Sequence, residues 1–263
     1  MEILIPALAV AAIGLFFGAL LAVAAVIFKV PTDEKVEQIE AVLPGANCGG
    51  CGFSGCSAAA RAIAEGKAPA SACPVGGAKA AKEIGSILGV QSDFVPKRAV
   101  VRCSGSHDIT KTLYDYDGTM DCRTAQGLFG GPKGCNYGCI GFGSCVNVCK
   151  FDAIHVVNGV AAVDDEKCTA CGACVKACPK NLIALIPKKN NVVVHCCSHD
   201  KGPVVKNLCE VGCLGCKICE KNCAYDAIHV IDNCAVIDYE KCVNCGTCVE
   251  KCPKKKIITF ENK

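Results

Sequence analysis

Residues 135–149 read CNYGCIGFGSCVNVC, and residues 209–223 read CEVGCLGCKICEKNC. Their cysteines correspond at a constant offset of 74 residues, and two further runs keep the same offset: CTACGACVKAC at residues 168–178 and CVNCGTCVEKC at residues 242–252. A match of this length at one offset is an internal repeat. The chain therefore contains two tandem copies of one Cys-rich unit.

The composition limits what these units can be. The chain has 26 cysteines in 263 residues, and their C-x-x-C spacing suits metal or cluster ligation better than long disulfide staples. Trp is absent and aromatic residues make up 5%, so we expect inorganic clusters to serve as much of the core. The net charge is only +3, and no basic stripe interleaved with aromatics is present, so we expect no nucleic-acid partner.

The N-terminus is strongly apolar. Residues 3–28 contain no charged side chain and would extend ~39 Å as a helix, more than the roughly 30 Å of bilayer hydrocarbon. A cleaved signal peptide fits less well, because no basic residue precedes the run and the run is too long. We therefore predict a single-pass transmembrane anchor at residues 1–30 in the cell inner membrane. Lys29 and Lys35 follow it, which places the rest of the chain on the cytoplasmic side.

A second Cys-rich region follows, and residues 47–56 read NCGGCGFSGC. Glycines between thiols let the backbone wrap closely around a cluster. Helices are predicted on both sides of this loop. The four thiols that match one [4Fe–4S] cluster are Cys48, Cys51, Cys56 and Cys73. A four-cysteine zinc site is the alternative, and it usually has two separated pairs rather than three cysteines in one loop.

In bacterial ferredoxins, three cysteines of one run and the last cysteine of the other run hold each cluster. This rule assigns three complete ligand sets in the repeats: Cys149 with Cys168, Cys171 and Cys174; Cys223 with Cys242, Cys245 and Cys248; and Cys252 with Cys213, Cys216 and Cys219.

The fourth set in the repeats is irregular, because Phe142 stands where the second unit has Cys216. The three ligands that remain are Cys139, Cys145 and Cys178. We expect Cys135 to complete this set, which gives five [4Fe–4S] clusters in all. A three-iron cluster, or one with a non-cysteine ligand, is the alternative.

Six cysteines are left over: Cys103, Cys122, Cys196, Cys197, Cys209 and Cys234. The 74-residue offset pairs Cys122 with Cys196. These thiols hold a sixth cluster or are idle, and their spacing does not decide between the two. We find no Gly-rich nucleotide loop and no Ser-His-Asp set, so we expect no catalytic residue and a role in moving single electrons.

An apolar N-terminus, the Cys48-to-Cys73 motif and the ferredoxin-type runs together resemble the RnfB family, whose members belong to the Rnf electron-transport complex, in its long form with two repeats. The resemblance implies a translocase that moves electrons between reduced ferredoxin and NAD and transports Na⁺ or H⁺. In that complex the RnfB protein receives electrons from soluble ferredoxin, and other membrane subunits carry the nicotinamide and flavin chemistry. Alternatives are an electron-transfer polyferredoxin of another membrane oxidoreductase, such as a hydrogenase, and a zinc-binding scaffold protein.

The predicted fold class is α+β. After the transmembrane helix at residues 1–30, it comprises a small helical [4Fe–4S] domain at residues 31–90 and two tandem bacterial-ferredoxin-like modules at residues 98–186 and 190–263. Lysines at positions 188, 189 and 254–256 lie close in sequence to predicted ligands. They are expected to steer the docking of an acidic ferredoxin, or else to form an ordinary solvated surface.

Overall fold

The computed structural model describes residues 4–27 and 33–259, which form a mixture of short helices and short strands. The helices are α1 (Leu4–Ile27), α2 (Glu34–Val42), α3 (Cys56–Ala64), α4 (Gly77–Leu88), α5 (Cys122–Gln126), α6 (Ser144–Asn147), α7 (Ala173–Ala177), α8 (Gly202–Leu208), α9 (Ile218–Lys221) and α10 (Thr247–Glu250). The strands are β1 (Lys97–Val101), β2 (Ile154–Val157), β3 (Val160–Val163), β4 (Ile183–Pro187), β5 (Val192–Val194), β6 (Ile228–Ile231), β7 (Cys234–Ile237) and β8 (Ile257–Thr259).

The prediction of a membrane-spanning helix is wrong for the part of the chain that the structure describes. No helix there is both long and apolar enough to cross a membrane. The apolar residues do form α1, but its side chains are described only over residues 11–24. Lys29, on which the predicted orientation partly rested, lies outside the described residues.

Helices α2, α3 and α4 form an N-terminal unit around a small apolar core. Asp33 caps α2 by accepting a hydrogen bond from the backbone N–H of Lys35 at 3.1 Å. The fully buried side chains of Ile39, Ile63 and Ile84 meet at the centre, and buried alanines let the helices approach closely. This unit holds the glycine-rich cysteine loop against the first repeat.

Each repeat folds as two separate two-stranded antiparallel sheets. In the first module β1 pairs with β4 and β2 with β3, and in the second β5 pairs with β8 and β6 with β7. Both hairpins turn through two residues with positive φ, at residues 158–159 and 232–233. Cysteines pack among the aliphatic side chains in the core of each module, so thiols are part of the interior.

The strand register aligns the modules differently from the simple offset. Val101 faces Ile183 in the first module, and Val194 faces Ile257 in the second. Ile183 and Ile257 are 74 residues apart, whereas Val101 and Val194 are 93 apart. The loop after β1 is therefore 19 residues longer than the loop after β5, and we call residues 104–134 the long loop.

This shift changes which cysteines correspond. The equivalent of Cys196, two residues beyond β5, is Cys103, two residues beyond β1. Cys122, which the constant offset pairs with Cys196, lies in the long loop and has no counterpart in the second module.

A buried arginine joins the first module to the chain segment that connects the two modules. Arg98 is 3% exposed, and its guanidinium binds the Asp165 carboxylate at 3.0 Å, the Lys188 carbonyl at 2.7 Å and the Asn191 side chain at 3.1 Å. On the other side of the connection, the Asn190 side chain donates to the Cys242 carbonyl at 3.2 Å. These contacts hold the two modules against each other.

Candidate metal centres

The 26 cysteines are all free thiols, and the fold gathers them into separate groups. In the described residues, no three His, Cys, Asp or Glu side chains are spaced to hold a single metal ion. A [4Fe–4S] cluster is instead held at the corners of a cube by four thiolates. The relevant geometry is therefore a cavity lined by four thiols.

The first such cavity lies in the first module and is lined by Cys149, Cys168, Cys171 and Cys174. The backbone N–H of Ala153 donates to Cys149 Sγ at 3.4 Å. Burial, together with the three neighbouring thiols, raises the pKa of Cys174 to about 11. Thiols packed this way ionise together only if a cationic centre binds them, which is what iron supplies.

The second module repeats this arrangement. One cavity is lined by Cys223, Cys242, Cys245 and Cys248. The N–H of Ala227 donates to Cys223 Sγ at 3.4 Å, and burial with neighbouring thiols raises the pKa of Cys248 to about 11. Cys245 is exposed, so this group reaches the surface of the protein.

A second group in the same module contains Cys213, Cys216 and Cys219. Burial, and then the charges of the other two thiols, raise the pKa of Cys219 to about 11. The predicted fourth member, Cys252, packs against the same core cluster. Cys216, like Cys245, is exposed.

The glycine-rich loop of the N-terminal unit forms another group. Burial raises the pKa of Cys73, and the charges of Cys51 and Cys56 act in the same direction. The N–H of Gly76 donates to Cys73 Sγ at 3.3 Å. Cys48 lies half-buried in the same loop. This group fits one four-thiolate centre.

In the irregular set of the first module, the fourth thiol beside Cys139, Cys145 and Cys178 is not the one expected from the sequence. One cavity in the first module is lined by Cys122, Cys139, Cys145 and Cys178. Burial, and then the charges of Cys139, Cys122 and Cys178, raise the pKa of Cys145 to about 12. Cys135, the expected fourth ligand, does not line this cavity.

The long loop delivers Cys122 by specific contacts. Cys122 is the first residue of α5, which Asp121 caps by accepting from the N–H groups of Arg123 and Thr124, both at 3.0 Å. The Cys122 N–H donates to Ser144 Oγ at 2.8 Å, beside Cys145. No spacing rule could have indicated this residue, because its contact with Cys145 depends on the conformation of the long loop.

A further buried thiol lies beside the Cys213 group. Cys234 is fully buried in β7, and its Sγ donates to the Cys196 carbonyl at 3.2 Å. The neighbouring Cys234 thiol lowers the pKa of Cys196 and of Cys213, and the pKa of Cys234 itself is raised. Cys234 therefore keeps its proton. The first module has Val160 at the equivalent position.

The N-terminal unit docks directly on the first module. A Cβ placed on Gly50 would lie 2.6 Å from the Cys171 carbonyl oxygen, so the two cysteine loops are in backbone contact. Lys150 Nζ strengthens the contact by donating to the Asn47 carbonyl at 3.2 Å. The thiols of the N-terminal unit therefore lie next to the Cys149 group.

We expect Gly50→Val to separate these two loops without removing a ligand. Electron transfer between the N-terminal unit and the first module should slow by on the order of tenfold or more, since such steps depend on ångström-scale placement. Freeze-quench spectroscopy of the reduced protein measures this rate, and iron content should not change. Ser54→Val adds bulk at an exposed position of the same loop and serves as the control. Equal rates in the two variants would contradict the docking contact.

Two family models match the chain. One for an Fe-S cluster domain matches residues 43–75, and one for a 4Fe-4S binding domain matches residues 161–184 and 235–255.

Similar proteins are found in several organisms. The B component of the Na(+)-translocating ferredoxin:NAD(+) oxidoreductase complex of Acetobacterium woodii is 47% identical, over 95% of this chain and 76% of the relative. The B component of the ion-translocating oxidoreductase complex of Methanosarcina acetivorans is 46% identical over 97% of this chain and 98% of its own length. The B component of the proton-translocating ferredoxin:NAD(+) oxidoreductase complex of Clostridium ljungdahlii is 42% identical, over 92% of this chain and 87% of the relative.

Proposed function

Since the chain belongs to the RnfB family of ion-translocating oxidoreductase complexes, which confirms the resemblance found in its sequence, we propose a specific role for it. It accepts electrons from reduced ferredoxin and passes them through [4Fe–4S] clusters to partner subunits. Those subunits reduce NAD and translocate Na⁺ or H⁺. When bound, each cluster takes up one electron and releases one electron, with no protein bond made or broken.

The observation that carries this proposal is the order of the thiol groups through the fold. The Cys73 group contacts the Cys149 group through Gly50 and Cys171. The Cys149 and Cys145 groups share the core of the first module, and the Cys219 and Cys248 groups share that of the second. A series of neighbouring centres of one kind fits electron transport better than catalysis.

We propose five [4Fe–4S] clusters on these residues. Four keep the ligand sets expected from the sequence: Cys48, Cys51, Cys56 and Cys73; Cys149, Cys168, Cys171 and Cys174; Cys213, Cys216, Cys219 and Cys252; and Cys223, Cys242, Cys245 and Cys248. The fifth uses Cys139, Cys145 and Cys178 with Cys122 in place of Cys135.

The two ends of the series differ in exposure, which suggests a direction. Cys245 in the second module is exposed, whereas the thiols of the N-terminal unit are half-buried or buried. The Asn244 side chain, next to Cys245, donates to the Lys189 carbonyl at 2.9 Å. We propose that ferredoxin docks here and that electrons leave through the N-terminal unit. The chain would then lie on the cytoplasmic side of the complex, held to the membrane through its partner subunits.

The direct test is to mix the anaerobically purified, iron-loaded chain with reduced ferredoxin and to follow bleaching of its visible absorbance. Rapid bleaching, with ferredoxin oxidised by the same number of electrons, is the expected result. A fully loaded chain that ferredoxin leaves oxidised would refute the proposal, whatever its iron content.

Charge reversal tests the docking surface. We expect Lys189→Glu combined with Lys251→Glu to slow electron uptake from ferredoxin by about tenfold at low salt. Both lysines are exposed beside ligands of the second module, because the Lys189 carbonyl binds Asn244 next to Cys245 and Lys251 precedes Cys252. The difference should shrink as salt screens the charges. Lys82→Glu, an exposed position on α4, is the matched control. Identical rates and salt dependence in all three proteins would refute this docking surface.

A further inference from the structure

Four cysteines outside these five sets converge between the two modules. They are Cys103, Cys135, Cys196 and Cys209, and they line one cavity together with Cys197. The empty volume of this cavity is ≈ 420 Å³, against ≈ 350 to ≈ 400 Å³ for the three cavities of the ligand sets described above. The fold therefore provides a further thiol-lined cavity of similar size.

Each module contributes two of the four thiols from equivalent positions. Cys103 and Cys196 follow the equivalent strands β1 and β5, and Cys135 and Cys209 are 74 residues apart. The site thus has approximate two-fold symmetry, as expected for a centre shared by two copies of one unit.

The sulfurs in this cavity accept hydrogen bonds as thiolates do. Cys103 Sγ accepts from the N–H groups of Gly105 and Cys139, both at 3.4 Å. Cys196 Sγ accepts from the N–H of Cys213 at 3.3 Å. Backbone N–H donors of this kind stabilise sulfur ligands of iron–sulfur clusters.

Gly105 shows that two of the thiols face the same point. A Cβ placed on Gly105 would lie 3.6 Å from Cys209 Sγ and 3.7 Å from Cys103 Sγ. The long loop fixes this geometry, because Thr110 forms an isolated β-bridge with Cys209.

Two polar groups indicate that the cavity takes an anionic ligand. Thr110 is 5% exposed, and among the described residues its Oγ1 has no hydrogen-bond partner. A Cβ on Gly105 would lie 2.6 Å from this oxygen, so it reaches the cavity. Lys133 is 4% exposed, and its Nζ donates to the carbonyls of Gly105 at 2.8 Å and Gly159 at 2.7 Å. A buried ammonium beside four thiols offsets the negative charge of a thiolate-bound cluster.

We propose that Cys103, Cys135, Cys196 and Cys209 hold a sixth [4Fe–4S] cluster that the two modules share. Cys197 is excluded as a ligand because its Sγ donates to the Tyr137 carbonyl at 3.6 Å. Cys234 is excluded because its Sγ donates to the Cys196 carbonyl at 3.2 Å.

This position would make the site the link between the modules, a role that rests on the proposed electron-transfer function. The N–H of Cys139, from the irregular set, donates to Cys103, and the N–H of Cys213, from the second module, donates to Cys196. The site therefore touches the nearest ligand set of each module.

Iron and acid-labile sulfide, counted per chain in the anaerobically purified protein, test the site. The wild type should contain about 24 iron ions rather than about 20, since each cluster holds four. The double variant Cys103→Ala/Cys209→Ala should lose about four iron ions and four sulfides. Cys197→Ala, which removes a buried thiol beside the same cavity, should lose none. Gly105→Val, which fills the cavity and keeps every thiol, should lose the same four iron ions.

A wild-type count of about 20, or a double variant that keeps about 24, would overturn the sixth cluster. If the double variant loses more than four iron ions, the wild-type count and Gly105→Val decide the question. Reduction of the wild-type chain by ferredoxin is measured separately from its iron content. A chain with about 24 iron ions that ferredoxin does not reduce would retain the site and refute the proposed function.

Discussion

Cys122→Ala should cost the chain one complete cluster, about four iron ions and four sulfides. Cys122 lines the same cavity as Cys139, Cys145 and Cys178, and its loss leaves three thiols for a centre that needs four. Electron transfer between the second module and the N-terminal unit should then fall by several orders of magnitude, because a centre in the middle of the series is missing. Iron analysis and reduction kinetics with ferredoxin measure the two effects.

A second substitution can restore the missing ligand. Phe142 occupies the position that Cys216 has in the other module, and its ring packs against Tyr116 at a centroid distance of 5.0 Å. The double variant Cys122→Ala/Phe142→Cys should therefore regain the lost iron, with the ligand spacing of an ordinary ferredoxin run. Cys135→Ala should leave this cluster in place, and the four iron ions that it loses should come from the proposed sixth site. The double variant Cys122→Ala/Cys135→Ala should therefore lose about eight iron ions, whereas a loss of about four would mean that one cluster accounts for both residues. If Cys135→Ala removes the cluster of the irregular set and Cys122→Ala does not, the expectation from the sequence was correct and our assignment fails.

Removing the iron should unfold both modules. Each module consists of two isolated two-stranded sheets, which are at best marginally stable alone, and thiols form part of its core. Without iron, the buried thiols leave cavities where the clusters had joined the strands. Binding free energy then equals folding free energy, on the order of 10 kcal/mol for small metal-dependent domains.

Chelation under reducing conditions, followed by circular dichroism and limited proteolysis, checks this expectation. Cleavage should spread through residues 98–259, and the cooperative thermal transition should disappear. Residues 33–90 should be cut more slowly, because Ile39, Ile63 and Ile84 provide a core of their own. Adding ferrous iron and sulfide should restore protection. An iron-free chain that melts at the same temperature as the loaded chain would contradict the prediction.

The sequence predicted the family and the repeated character of the fold because the information is local. Cysteines three residues apart lie near one another whatever the rest of the chain does. The grouping of the cysteines around Cys171 and around Cys245 could therefore be predicted from their spacing. The family itself is confirmed by the relatives. The transmembrane helix was the structural prediction that failed, for the described residues.

The sequence alone could not show where Cys103, Cys122 and Cys135 lie in the fold, for one physical reason. A constant offset assumes equal loops, but the loop after β1 is 19 residues longer than its counterpart after β5. Only the hydrogen-bond register of β1 with β4 and of β5 with β8 shows that Cys103 corresponds to Cys196. The long loop places Cys122 in the cavity of the irregular set. Cys135, which follows the loop, lines the cavity between the modules instead.

The exposure of Cys216 and Cys245 also determines how the protein should deteriorate in air. Dioxygen and peroxide react first with sulfur ligands that solvent can reach. Damage should therefore begin in the second module, while the group of Cys122, Cys139 and Cys145, whose thiols are buried, survives longest. A sample that has aged in this way should no longer be reduced by ferredoxin. It should still be reduced by a small artificial dye.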